Sequence, residues 1–159
     1  MCWKCDNPQA TEAEYEARLR MKIERFGWAI QGIEPGRTSP PWAYTVGLSR
    51  FGQPELVLTG MTFPSASALL NDMAAHLLHD AAPEPGTQQQ LVRGPLVEFV
   101  ELAEPSAHLH WAAALFGPSL RAIQVVHADQ RGHWPWHPGY RGGPGGQPVL
   151  GPRNREALT

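Results

Sequence analysis

Apolar positions recur along this chain at two periods, one helical and one extended. Over Thr11–Phe26, Tyr15, Leu19, Ile23 and Phe26 fall at helical spacing, and Glu16, Arg18, Arg20, Lys22 and Glu24 form a charged, solvated face. Thr11 and Glu14 stand at the spacing of a capping box, and Gly27 suits the position just past a helix end, so a helix is predicted here. Ala66, Leu69, Leu70, Met73, Ala74, Leu77 and Leu78 trace a second helical stripe over Phe63–Asp80, with Pro64 in its first turn. A third helix is predicted over Pro105–Phe116, packed by Leu109, Ala112, Ala113 and Phe116 and closed by Gly117-Pro118.

Between the helices the period falls to about two. The densest run of strand-forming residues is Pro40–Gly60, where Ala43–Leu48 and Glu55–Thr59 flank the Gly- and Pro-containing reversal Ser49–Pro54. That pattern predicts a β-hairpin with a loop longer than two residues. Trp28–Glu34 reads as an earlier strand ended by Pro35-Gly36, and Ala81–Gln90 as a polar loop. Leu91–Ala103 reads as a long strand, or two joined at Gly94-Pro95, with Glu98 and Glu101 at an edge or facing solvent. Arg121–Ala128 closes the series, with Ile123, Val125 and His127 on one face and Gln124, Val126 and Ala128 on the other. The element order predicts an α+β fold, an antiparallel sheet of about five or six strands with three packed helices. A split-barrel-like closure of the sheet is the alternative.

Composition narrows the function classes. A chain of 159 residues has the length of a single domain, here with a Cys-containing segment over 1–10 and a Gly/Pro-rich tail over 141–159. Net charge is −2 with both signs interspersed, which excludes a basic nucleic-acid or membrane-surface patch. The longest apolar run is far short of the roughly 20 residues that span a bilayer. The first residues are polar where a signal peptide needs an apolar core, so a reducing cytoplasm is expected.

Candidate chemistry lies near both ends of the chain. Cys2-x-x-Cys5 has the spacing of half a zinc site, and His133-x-x-x-His137 that of the other half, although Pro135 excludes the helix that usually presents such histidines. Ordinary thiols remain the competing reading of Cys2 and Cys5. Trp134, Trp136 and Tyr140 in an extended Pro/Gly-rich loop must pack over something: the open face of the sheet, a ligand or a partner. His127 reads either as a core histidine satisfied by one partner or as a pocket base. Asp72 and His76, four apart on the second helix, read as a surface ion pair in preference to a metal ligand or base, and the Gly-rich 141–146 lacks the helix and Lys-Ser/Thr of a phosphate loop.

Several motifs occur together and in order: C-W-K-C, G-W-A-I-Q-G-I-E, P-P-W-A-Y-T-V-G-L, P-E-L-V-L-T-G, A-I-Q-V-V-H-A-D, W-P-W and G-G-Q-P-V-L-G. Over nearly its whole length the chain resembles the bacterial domain-of-unknown-function family numbered 4262. The resemblance implies no reaction or cofactor. It marks Cys2, Cys5, Trp42, Tyr44, Gln124, Trp134, Trp136 and Gln147 as pattern residues.

No nucleophile, base and orienter set is legible, so no enzyme class is assigned. The sequence is read as a binding module with a candidate metal site drawn from Cys2, Cys5, His133 and His137, the ion left open and zinc the candidate. Trp42, Tyr44, Gln124, His127, Trp134, Trp136 and Gln147 are the candidate ligand-binding residues. Two alternatives stand beside it: a small-molecule or flavin-binding enzyme of split-barrel type, and a protein-interaction domain without chemistry.

Overall fold

The computed structural model describes residues 6–153. Among these residues the α-helices and strands follow in the order α1 (Glu12–Phe26), β1 (Ala29–Ile33), β2 (Trp42–Val46), β3 (Glu55–Thr59), α2 (Phe63–Leu77), β4 (Gln88–Gln90), β5 (Leu96–Glu101), α3 (Pro105–His108), α4 (His110–Phe116) and β6 (Ala122–His127). The strands make one sheet in the order β1-β2-β3-β6-β5-β4. The predicted α+β class holds, but the sheet is mixed. β3 and β6 run parallel at its centre, with Leu56 opposite Ile123, and every other neighbouring pair is antiparallel. The reason is connectivity: a chain leaving the end of β3 returns through α2, the β4–β5 hairpin and the short helices before it can lay β6 alongside. The sheet is also open, with β1 and β4 at opposite edges, so the split-barrel closure does not form.

Alternation along the strands sends apolar side chains to both faces, and each face is covered by helix. Ala43, Leu56, Leu58, Phe99, Ile123 and Val125 pack under Ala66, Leu70, Ala74 and Leu77 of α2. Tyr44, Val46, Val57 and Ala122 pack under Leu19 and Ile23 of α1 and Ala112 of α4. Thr11 caps α1 as predicted, accepting from the Glu14 amide at 3.1 Å. Phe26, counted in the apolar stripe, instead stands 64% exposed at the helix end.

The single helix predicted over Pro105–Phe116 is two. Leu109 leaves helical geometry (φ −105°, ψ 70°) because its side chain is fully buried in the second core, and it separates His108 from Trp111. Gln88–Gln90, within the predicted loop, is strand because β5 supplies its ladder partners and Glu98 takes a 2.9 Å bond from Gln88 Nε2. Glu98 is therefore no solvent-facing residue. It is buried, and Arg153 grips it through Nε at 3.0 Å and a terminal nitrogen at 3.1 Å. Glu101, paired with Arg121 at 3.0 Å, does face solvent.

The hairpin reversal between β2 and β3 is organised by a second buried carboxylate. Glu55 accepts from Thr45 Oγ1 at 2.8 Å, the amides of Gly47, Leu48 and Ser49 at 3.2, 3.1 and 3.1 Å, and Ser49 Oγ at 2.7 Å. Burial raises the Glu55 carboxyl above the ordinary range, and the Ser49, Thr45 and Gly47 donors work against that rise.

Candidate functional site

Of the residues singled out from sequence, Trp42, Gln124, His127 and Gln147 gather at the end of the sheet where β3 and β6 finish. Most of their polar atoms are spent on the chain's own backbone. Gln124 donates to Thr59 Oγ1 at 3.1 Å and to the Pro148 carbonyl at 2.7 Å, and accepts from the Leu150 amide at 2.7 Å. Gln147 accepts from the His127 amide and donates to the His127 carbonyl, both at 2.8 Å, and it also donates to Tyr140 Oη at 2.8 Å. A side-chain amide here completes a ladder as a strand would. Together the two glutamines strap residues 146–150 across the carboxyl ends of β3 and β6. The approach is close: a Cβ on Gly60, which has φ +76°, would lie 2.4 Å from the Gly146 oxygen.

His127 Nε2 faces the Thr59 carbonyl at 3.2 Å. Burial lowers its pKa, with the Thr59 bond opposing, so the ring is neutral at pH 7 and donates that proton. Tyr44 is fully buried, its hydroxyl accepting the Trp111 amide at 3.1 Å, and burial pushes the phenol above its ordinary range. The Trp42 ring lies 5.6 Å from that of Tyr44, tilted by 32°, and walls a small cavity of about 180 Å³ with Pro40, His108, Pro148 and Leu150.

The aromatic loop makes two stacks. Trp134 and Trp136 lie 5.4 Å apart at 9°, and the Arg153 guanidinium covers Trp136 at 3.6 Å. His133 and His137 stack at 4.3 Å and 11°, with His133 Nδ1 on the Gly139 carbonyl and His137 Nδ1 accepting the Gly139 amide. In their neutral forms only His133 then keeps an outward ring lone pair. With near-parallel rings, one ion about 2.0–2.1 Å from both would lie outside both ring planes, so joint ligation requires the stack to open. Asp129 anchors this loop, accepting from the amides of Arg131, His133 and Arg141 at 2.8–2.9 Å. Burial alone would raise the Asp129 carboxyl, but the amides of His133, Arg141 and Arg131 outweigh it and hold the group below its usual range. Cys2 and Cys5 lie outside the described residues. Among the described residues, no three His, Cys, Asp or Glu side chains cluster as metal ligands.

A second concavity lies elsewhere, along the open edge of β1. α1 rises on one side of this strand and α2 on the other, leaving a groove with two connected lobes. The lobe toward Pro35 holds about 230 Å³ and the lobe toward Phe26 about 420 Å³; Tyr15, Lys22, Ile30, Gln31 and Phe63 line both. The larger lobe alone is within the ~300–1,000 Å³ of small-ligand sites. The Tyr15 hydroxyl donates to Gln31 Oε1, fixing α1 to the strand, and Trp28 Nε1 donates to Asn71 Oδ1 at 2.9 Å, fixing the strand to α2. Gly32 has no side chain to hold the Phe63 ring off the backbone, so the ring forms the floor.

None of these groove residues stood out as a site from sequence. One signal was legible: Tyr15, Leu19, Lys22 and Phe26 fall at i, i+4, i+7 and i+11, so a lysine sits within the apolar stripe of α1. Lys22 makes no ion pair among the described residues.

Fold and groove define a small α+β domain with a ligand-sized cleft at a sheet edge. The family model for the domain of unknown function DUF4262 matches residues 22–141, and the chain belongs to that family. No curated protein and no solved structure matches it. No helix among the described residues is long and apolar enough to cross a membrane.

Proposed function

We propose that this domain is a binding module whose site is the groove along β1, taking a ligand with an apolar body and an anionic group. The observation that carries the reading is the composition of the groove. Tyr15, Ile30 and Phe63 present apolar surface beside the exposed ammonium of Lys22, which has no ion pair among the described residues. Lys22 is exposed at the rim, so its ammonium can meet an anionic group while the apolar body of the ligand lies on the groove walls. Among the described residues the one carboxylate on the lining, Glu34, is at the outer end beside Pro35.

Anilinonaphthalene sulfonate, an apolar dye carrying one anionic group, tests this directly. The dye titrates to a single saturable site, Lys22→Glu weakens it at least tenfold, and a Trp134→Ala/Trp136→Ala variant binds it as the native chain does. Dye binding unchanged by Lys22→Glu, or absent, overturns the proposal.

A further inference from the structure

The groove runs along a strand edge, and the hydrogen bonding of the sheet tells which way the backbone of that edge points. The Gly60 amide donates to the Pro41 carbonyl, so Pro41, Ala43 and Thr45 direct their backbone groups toward β3. In an antiparallel ladder, successive residues alternate sides. Trp42, Tyr44 and Val46 therefore bond to β1, opposite Ile33, Gln31 and Ala29. That leaves the amides and carbonyls of Ile30 and Gly32 pointing outward, into the groove. Gln31 Nε2 reaches the Gly32 carbonyl from the groove side in a long 3.3 Å bond, as this orientation requires. Among the described residues, the outward amides of Ile30 and Gly32 and the carbonyl of Ile30 have no other partner. Backbone groups set back from the surface and unpaired in this way are a template for another chain.

The two edges of the sheet differ. β4 is three exposed glutamines, a length that offers little to an incoming strand. β1 has five residues and lies at the bottom of a cleft. A second copy of this domain cannot use the cleft symmetrically, because two recessed edges cannot approach to the ~4.8 Å spacing of paired strands. A single extended peptide can.

We infer that the ligand of the groove is an extended peptide bearing a carboxylate, which adds to β1 as a seventh strand. The inference rests on the groove being the binding site. Ile30 and Gly32 supply up to four ladder bonds, with the Gly32 carbonyl exchanging the Gln31 amide for a peptide amide. Phe63 and Tyr15 receive alternate side chains on the two sides, and Lys22 pairs with the carboxylate. Main-chain bonds then set the affinity and the side-chain lobes set the selectivity.

The test passes a synthetic library of random heptapeptides with free carboxyl ends over the immobilised full chain. Retained peptides are expected to alternate apolar and polar residues and to displace anilinonaphthalene sulfonate. They should also slow amide exchange at Ile30 and Gly32 at least tenfold. Ile30→Pro removes an outward donor without touching the β1–β2 ladder, and it should weaken retained peptides at least tenfold. The native-chain exchange measurement stands if that variant does not fold. If the dye binds with its Lys22 dependence but no peptide is retained, or retained peptides leave Ile30 and Gly32 exchange unchanged, strand addition is wrong and the groove reading survives. If the dye binding also fails, both fall. A dimer in sedimentation that Ile30→Pro dissolves would assign the edge to a second copy and overturn the peptide.

Discussion

The Phe63 ring lies directly against the Cα of Gly32: a Cβ added to that glycine would stand 2.5 Å from Cδ2 and 2.7 Å from Cε2 of the ring. This contact joins α2 to the edge strand and shapes the floor of the groove. Gly32→Ala must therefore displace the ring, at an overpacking cost of about 1–3 kcal/mol. Thermal unfolding should register that loss, and the dye should bind at least several-fold more weakly. An alanine variant of native stability and native dye affinity would show that the ring does not form the floor.

Glu55 illustrates a buried carboxylate that orders a turn. Glu55→Gln exchanges one acceptor oxygen for an amide nitrogen, and in either orientation that nitrogen faces at least two of the five donors. Leaving such donors unsatisfied costs about 1–3 kcal/mol. Denaturant unfolding should show a shifted midpoint with an unchanged slope.

The strand pattern, the hairpin and the stripes of α1 and α2 were legible because each is written in local periodicity. What escaped depended on contacts between distant residues. Nothing in Glu98 or Glu55 announces burial; Arg153 and the 47–49 turn make it tolerable, and both are supplied by the fold. The parallel pairing of β3 with β6 leaves no local trace either. Gln124 and Gln147 stand in motifs, yet the partners they take, the Pro148, Leu150 and His127 backbone groups, belong to a strap whose path no propensity describes. The groove was hardest to read, because Lys22, Gly32 and Phe63 belong to three elements and to no motif.

His127 links stability to pH. Burial holds its folded pKa below the ordinary 6.5, so the unfolded chain takes up this proton more readily. The contribution is fully present above about pH 6.5 and is lost as pH falls through the lower folded value. His127→Gln should remove that part of the acid-side loss. Melting temperatures of the two proteins between pH 7.5 and 5 check it: parallel curves would contradict the assignment.

Arg153 neutralises buried Glu98 and covers Trp136 at the same time. Arg153→Ala strands the carboxylate with Gln88 as its remaining partner, at a cost of about 3 kcal/mol, the lower end for a broken buried pair. The same variant should red-shift tryptophan emission as Trp136 gains solvent. Replacing Glu98 by Gln in the Arg153→Ala background should restore part of the stability.

The most direct test of the central claim is the titration of anilinonaphthalene sulfonate into native and Lys22→Glu protein, with thermal unfolding of both as the folding control. One saturable site in the native chain, weakened at least tenfold in an equally stable Lys22→Glu variant, is the predicted result. Equal binding by the two proteins, or no saturable binding by the native chain, would contradict the assignment of the β1 groove as the ligand site.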